Sequence, residues 1–357
     1  MLKKLYINNY KCFQNFLFDI ENMHSVLIVG KNGAGKSGIM EVLHILKSIG
    51  QGEHRVENLI AKDDVCASSR ENTVTFKIEV EIDSCCFDYT LSLEFPENFS
   101  KFRVEKELLS INGNEILNRT RATSSLNHRA QFNIDWHYIV LPLIFDNYEN
   151  RDIINFRNWL ANMIVISPNP SSMTGISVQE ADNLHPDCEN FVDFLTSQLQ
   201  KDFSLFESIR KKLHYVLEDF TAIKAHPIGE SAKRIEIAFD NLEKPIRFDS
   251  LSDGEKIFLL EASLMVLASQ KKDFFLFWDE PDNYLAYREI QAFTRDMRSY
   301  FIDNNQLIIT SHSKQLASSF SYENTLLMTR DSHSSPSVIK KMQENMNFDE
   351  IIECVEE

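Results

Sequence analysis

An α/β fold with a parallel core sheet is what this sequence predicts, on three observations. Short apolar runs of strand length, Ser25 to Val29, Phe274 to Trp278 and Gln306 to Thr310, are interspersed with helical patterns. These runs are mostly apolar instead of alternating, as strands covered on both faces are. The first ends in a Gly-rich turn and the second in two acids, at the strand edge where parallel sheets collect their ligands.

The remaining elements follow along the chain. Leu5 to Ile7 reads as a strand, and Ile39, Val42, Leu43 and Leu46 have helical spacing after the Gly-rich turn. Val74, Phe76, Ile78, Val80 and Ile82 alternate, as do Phe87, Tyr89, Leu91, Leu93 and Phe95, which predicts an antiparallel hairpin with one buried face. Asn112-Gly113 marks a further tight turn. The middle is mixed and mostly helical, with apolar residues at three- and four-residue steps from Phe191 to Val216. Ser167 to Ser172 is dense in turn formers and reads as a loop. Helices are expected over Ile257 to Ala268 and Tyr287 to Phe301. The organisation expected is thus 1–120, the first part of the core with an antiparallel β subdomain; 121–245, a helical insertion and candidate partner-binding or regulatory region; 246–335, the second part of the core; and 336–357, an acidic tail.

Composition narrows the function. The 357 residues are 43% hydrophobic, enough for a sizeable core. No apolar run approaches the ~20 residues that span a bilayer, and the N-terminus lacks a signal-peptide core. A cytoplasmic location and no membrane partner are expected. Six scattered cysteines form no C-x-x-C pair and no disulfide framework. A net charge of −16 disfavours broad nucleic-acid binding, although a local basic groove stays open. Ile116 to Ile134 carries Arg119, Arg121, His128 and Arg129 without an acid; an ordinary polar loop is the expected reading, ahead of a ligand-binding arm.

Two motifs carry the chemistry. Gly30-Lys31-Asn32-Gly33-Ala34-Gly35-Lys36-Ser37 satisfies G-x-x-x-x-G-K-[ST] between a strand and a helix, which defines a P-loop. Its glycines let successive N–H groups point at phosphate, and the helix adds its positive end. Lys36 is expected on the β- and γ-phosphates and Ser37 on Mg²⁺. At the end of the apolar strand, Asp279 is expected to hold the magnesium shell and Glu280 to act as general base toward the attacking water. ATP and Mg²⁺ are therefore the expected cofactors. His312, ending the next strand, is a candidate γ-phosphate sensor.

Leu251-Ser252-Asp253-Gly254-Glu255-Lys256 resembles the signature of ATP-binding cassette (ABC) proteins, Pro281 to Leu285 looks like their D-loop, and His312 like their switch histidine. The order of the five motifs matches as well. The resemblance implies an ABC-ATPase head, with ATP sandwiched between two copies and Ser252, Asp253, Gly254 and Glu255 reaching the nucleotide of the partner copy. More than 200 residues separate Ser37 from Leu251, a wider gap than in transporter cassettes. Asn9-Tyr10-Lys11-Cys12-Phe13 is similar to the opening of SMC, RecF and OLD-type heads, which implies that Lys11 approaches the nucleotide; a plain surface lysine is the alternative reading. Ala181 to Leu184 looks like an element of OLD-like standalone ATPases. No long heptad run is present, no glutamine is assignable to a Q-loop, and the 45 residues after His312 do not accommodate a Toprim nuclease.

The resemblance implies a switch ATPase: ATP closes two heads, hydrolysis opens them, and a separately encoded effector such as a nuclease or toxin is controlled, in anti-phage defence or DNA processing. The alternatives are a membrane-transporter ATPase subunit and a scaffold that binds ATP without turnover. Phosphotransfer to a small molecule would leave the signature motif unexplained.

Overall fold

The computed structural model describes residues 1–342 other than 68, 70, 98 and 241, and leaves the side chains of Tyr287 and Gln315 undescribed. The acidic stretch from 343 onward lies outside the described residues. The chain divides into two compact units, 1–163 with 320–357, and 164–319.

The first unit opens with β1 (Leu2–Asn8), β2 (Phe16–Asp19) and β3 (Ser25–Val29), followed by helix α1 (Lys36–Gly50). Then come β4 (Thr73–Ile82), β5 (Cys85–Glu94), β6 (Arg103–Ile111), β7 (Asn114–Thr120), β8 (Thr123–Leu126), β9 (Ala130–Asn133) and helix α2 (Arg151–Asn162). An antiparallel sheet runs in the order β2-β1-β4-β5-β6-β7-β8-β9. The alternation in β4 and β5 is used as expected: Val74, Phe76, Ile78, Val80 and Ile82 are buried, and polar neighbours face out. The hairpin pairs Val80 with Phe87 and Ile82 with Cys85. Helix α2 covers this sheet through Phe156, which stacks on Phe87 at a centroid distance of 5.4 Å.

The basic stretch 116–134 is not a loop. It forms most of β7 and all of β8 and β9, and the Arg119 side chain is fully buried. Beside it lies the buried carboxylate of Glu107 on β6, 3.6 Å away. Glu107 accepts hydrogen bonds from the Tyr89 hydroxyl (3.1 Å) and from the backbone N–H groups of Val140 (2.8 Å) and Leu141 (2.9 Å). Arg119 donates to the backbone carbonyls of Arg121, Tyr138 and Asp135. Burial pushes the Glu107 carboxyl up; the two N–H groups, Arg119 and Tyr89 oppose that rise. The network ties the connection at 135–141 to the sheet.

The second unit contains β10 (Ile164–Ile166), β11 (Ile176–Ser177), α3 (Phe191–Lys201), α4 (Ser204–Leu213), β12 (Phe220–Ile228), β13 (Ala232–Phe239) and β14 (Ile246–Arg247). It continues with α5 (Asp253–Gln270), β15 (Phe275–Asp279), α6 (Tyr287–Tyr300), β16 (Gln306–Ser311) and the short α7 (Lys314–Ser318). Strands β10, β15 and β16 form a parallel ladder, with Val165 opposite Phe277 and Phe277 opposite Ile308. Helix α5 is buried from Lys256 to Ala268, so its sequence is apolar on nearly every face. Helix α6 packs Phe293 edge-on to Trp278 at 5.4 Å. A small antiparallel sheet places β12 on one side of β13, with β11 and β14 on the other.

The segment 121–245 is therefore less helical than its sequence suggests: α2, α3 and α4 share it with six strands, β8 to β13. The expected single run from Phe191 to Val216 is broken between α3 and α4, where Asp202 takes an extended conformation. Finally the chain re-enters the first unit as β17 (Thr325–Thr329), parallel to β3, and β18 (Val338–Lys341), antiparallel to β17. The expected tail thus begins with a strand of the core.

Replacing Arg119 with Met should destabilise the first unit by about 3–5 kcal/mol, because Glu107 stays buried without its counter-charge; denaturant unfolding measures this. His44 on α1 is held down to about 4 by burial and by the Lys47 charge. Between that value and 6.5 the unfolded chain binds the extra proton, so stability falls as pH drops through this window. The drop from pH 7 to pH 4.5 should reach about 2 kcal/mol and be smaller in His44→Gln, measured by denaturation at each pH.

Candidate functional site: the phosphate loop and the acidic turn

In the first unit, β3 delivers the chain into the loop Gly30–Ser37 and α1 carries it away. Gly35 is the N-cap of α1, with φ +108°, and no side chain caps that helix start. A Cβ at Gly35 would come within 2.8 Å of Cys12 Sγ and Ser337 Oγ and 2.9 Å of the Met328 methyl. Only glycine fits, both for backbone angle and for space. Ser337, buried between β17 and β18, donates its hydroxyl to the Ala34 carbonyl (2.6 Å), and its N–H goes to the Cys12 carbonyl (2.9 Å). The loop is thereby braced from beneath. Lys36 is buried and its ammonium donates to the carbonyls of Gly30 (2.7 Å) and Lys31 (3.2 Å), while Ser37 is exposed in the first turn of α1.

In the second unit, β15 ends in Asp279 and turns at Glu280, which lies in the left-handed region with φ +49° and ψ +57°. A non-glycine residue there stores strain of about 1–3 kcal/mol and persists because its surroundings fix it. Here the Glu280 N–H donates to the backbone carbonyl and to Oγ1 of Thr310 on β16, both at 3.1 Å. The twist presents the Glu280 carboxylate to two partners: Asn283 Nδ2 at 3.1 Å on one oxygen and His312 Nδ1 at 3.1 Å on the other. Asp279 accepts the Thr310 hydroxyl. Asp282, buried one turn on, accepts the Ser311 hydroxyl at 2.8 Å. Burial raises its carboxyl above the usual range, and that hydrogen bond works against the rise.

The signature segment is the start of α5, which begins four residues ahead of the predicted Ile257. Ser252 caps the helix and forms a capping box: its N–H and hydroxyl both reach Glu255 Oε2 at 2.7 Å, and Glu255 N–H returns to Ser252 Oγ at 3.3 Å. Ser252 and Asp253 are exposed. A Cβ on Gly254 would sit 3.3 Å from the Tyr284 carbonyl, so this glycine lets the helix start approach the turn Pro281–Tyr284. Lys256 is buried and points back to the Pro170 carbonyl at 3.0 Å, inside the predicted loop 167–172.

Among the sequence-predicted residues, Gly30 to Ser37 form one braced loop, and Asp279, Glu280 and His312 gather at one turn. Lys11 lies in the first unit with φ +49°, and its ammonium is paired with Glu41 and, at 3.9 Å, Asp64. Sequence reasoning passed over Ser337, Thr310 and Ser311, which are small hydroxyl residues in no motif; their roles depend on contacts distant in sequence. In the sequence, Asp282 stands out only as part of a D-loop-like run.

A P-loop, a capped signature helix and an acidic strand end on an α/β frame define an ABC-type ATPase head. Residues 1–335 match the RecF/RecN/SMC N-terminal domain, and the chain belongs to that family, on its SMC/RecF branch. Solved SMC heads share the fold. One, described as an SmcHead bound to the C-winged helix domain of ScpA, is 15% identical with a TM-score of 0.58, covering 96% of this chain and 98% of its own. A Pyrococcus furiosus Smc head with an extended coiled coil, bound to the C-terminal domain of ScpA, is 12% identical with a TM-score of 0.54 and 99% coverage of both chains. The SMC head from Thermotoga maritima is 17% identical at a TM-score of 0.50, covering 96% of this chain and 99% of its own. A Plasmodium falciparum (isolate 3D7) protein described as ABC transporter ATM1 is 33% identical over 87 residues; the match spans 24% of this chain and 8% of that protein. No helix among the described residues is long and apolar enough to cross a membrane.

Gly35→Ala should abolish triphosphate binding while leaving most helix content intact. Ser337→Ala, which removes one buried hydrogen bond, should weaken binding about fivefold. Calorimetric titration with ATP and far-UV circular dichroism check both.

Proposed function

We propose that this chain is an Mg²⁺-dependent ATPase that works as a nucleotide-driven switch between two copies of itself. The observation that carries the reading is the setting of Glu280. Its carboxylate is held from both sides by Asn283 and His312, on a strained turn at the end of a buried parallel strand. A carboxylate so fixed suits a general base that orients and polarises an attacking water.

The remaining residues have matching roles. The N–H groups of Gly30, Asn32, Gly33, Ala34 and Gly35 and the start of α1 receive phosphate oxygens. Lys36 exchanges its two carbonyl partners for the β- and γ-phosphates. A hydroxyl at Ser37 and a carboxylate at Asp279 are the oxygen donors that Mg²⁺ prefers, and the ion would neutralise charge on the phosphates. The His312 imidazole, bonded to Glu280 through Nδ1, has its other nitrogen for the γ-phosphate. Ser252, Asp253, Gly254 and Glu255, at an exposed helix start, act on the nucleotide of the partner copy. That contact exists only with the γ-phosphate present, so ATP stabilises the closed pair over the open one.

The output is control of a separately encoded effector, a nuclease or toxin, in an OLD-like arrangement serving anti-phage defence or DNA processing. The region 121–245 is the proposed recognition surface. A transporter ATPase subunit is the weaker reading, since it rests on the 87-residue match and the family assignment covers 1–335.

Glu280→Gln should bind ATP, turn it over at least 100-fold more slowly and accumulate as a dimer on size exclusion. Adding Ser252→Arg to that variant should return it to monomer with ATP still bound. A Glu280→Gln protein that hydrolyses ATP at the wild-type rate would refute the assignment.

A further inference from the structure

We propose that Asp282, which has no part in the chemistry described so far, is the positioning residue of His312, fixing the backbone on both sides of that histidine through Ser311. This role rests on the ATPase reading of Glu280 and His312, and it gives Asp282 no contact with nucleotide or water.

A carboxylate is costly to bury and has to be compensated by what it bonds to. Asp282 is only 9% exposed, in the turn Pro281–Tyr284 that follows Glu280. Its Oδ2 accepts the hydroxyl of Ser311, 2.8 Å away and fully buried at the end of β16. A serine hydroxyl has one hydrogen to give, so committing it to Asp282 aims the oxygen lone pairs elsewhere. Ser311 Oγ accepts the N–H of Ser313 at 2.8 Å. A bond from a serine oxygen to the N–H two residues on closes a tight turn around the residue between them, here His312. The carboxylate orients the hydroxyl, and the hydroxyl shapes the turn. Burial pushes the Asp282 carboxyl up, and Ser311, His312 and Ser313 all oppose that push.

Two separate holds therefore meet on one residue. Glu280 takes the imidazole at Nδ1, 3.1 Å away, and Asp282 takes the main chain by way of Ser311. A ring bonded at Nδ1 alone can pivot about that bond. Fixing the main chain removes the pivot and gives Nε2 one direction, toward the proposed γ-phosphate.

The full chain is assayed for ATP turnover and ATP affinity, and the His312 ring is followed in proton–carbon correlation spectra without nucleotide. Asp282→Ala and Ser311→Ala should each lower kcat about tenfold through misplacement of His312, with ATP affinity within about twofold of wild type. Asp282→Asn keeps an acceptor oxygen for Ser311 and should restore most of the rate. In a His312→Ala background, where no imidazole is left to place, adding Asp282→Ala should cost less than about twofold more. The His312 ring signal, identified by its loss in His312→Ala, should shift or split in Asp282→Ala and stay in place in Asp282→Asn. A wild-type rate in Asp282→Ala would overturn the proposal. So would an unmoved ring signal, or a loss in the His312→Ala background as large as in wild type. A wild-type chain that neither binds nor hydrolyses ATP would defeat the ATPase reading instead, and the ring signal alone would then decide whether Asp282 places His312.

Discussion

The phosphate loop depends on a packing constraint beneath it. Cys12, Met328 and Ser337 come from three separated stretches and converge on the one residue that has no Cβ, Gly35. β3 and β17 pair in parallel and fix the height of Met328 relative to the loop. β18 returns antiparallel and brings Ser337 against Ala34. The loop conformation is therefore a property of the sheet as much as of the glycines. A Gly-rich turn without that floor would have many conformations and a large entropy to lose on binding phosphate.

The second unit solves a different problem with similar means. The proposed general base has to be held still while remaining accessible. Glu280 is held by a left-handed backbone fixed to Thr310 and a side chain shared by Asn283 and His312. The signature helix is set against the same turn, since Gly254 lies beside the Tyr284 carbonyl. The D-loop-like turn and the signature start thus pack against each other within the unit.

Much of this was legible in the sequence, and the reason is local. The strands Ser25–Val29 and Gln306–Ser311 are bounded by turn chemistry, and β4 and β5 alternate cleanly, so period alone reveals them. The P-loop and the acidic strand end are contiguous motifs. What escaped depends on distance. The basic stretch around Arg119 looks like a solvated loop until Glu107 and the Asp135 to Tyr138 carbonyls are placed around it. Ser337 looks like part of a polar tail until it is seen under Ala34, 303 residues away. In 121–245, apolar residues at mixed spacings suggested more helix than forms, because β12 and β13 pair with each other and override weak periodicity.

Lys36 offers a last consequence. Its ammonium rests on two carbonyls of its own loop. An incoming anion has to offer more than those two oxygens provide. An isolated orthophosphate, with few oxygens and no reach to the rest of the cradle, competes poorly. On the proposed reading, those two carbonyls set a threshold against small anions, and selectivity for chain length begins within the loop itself.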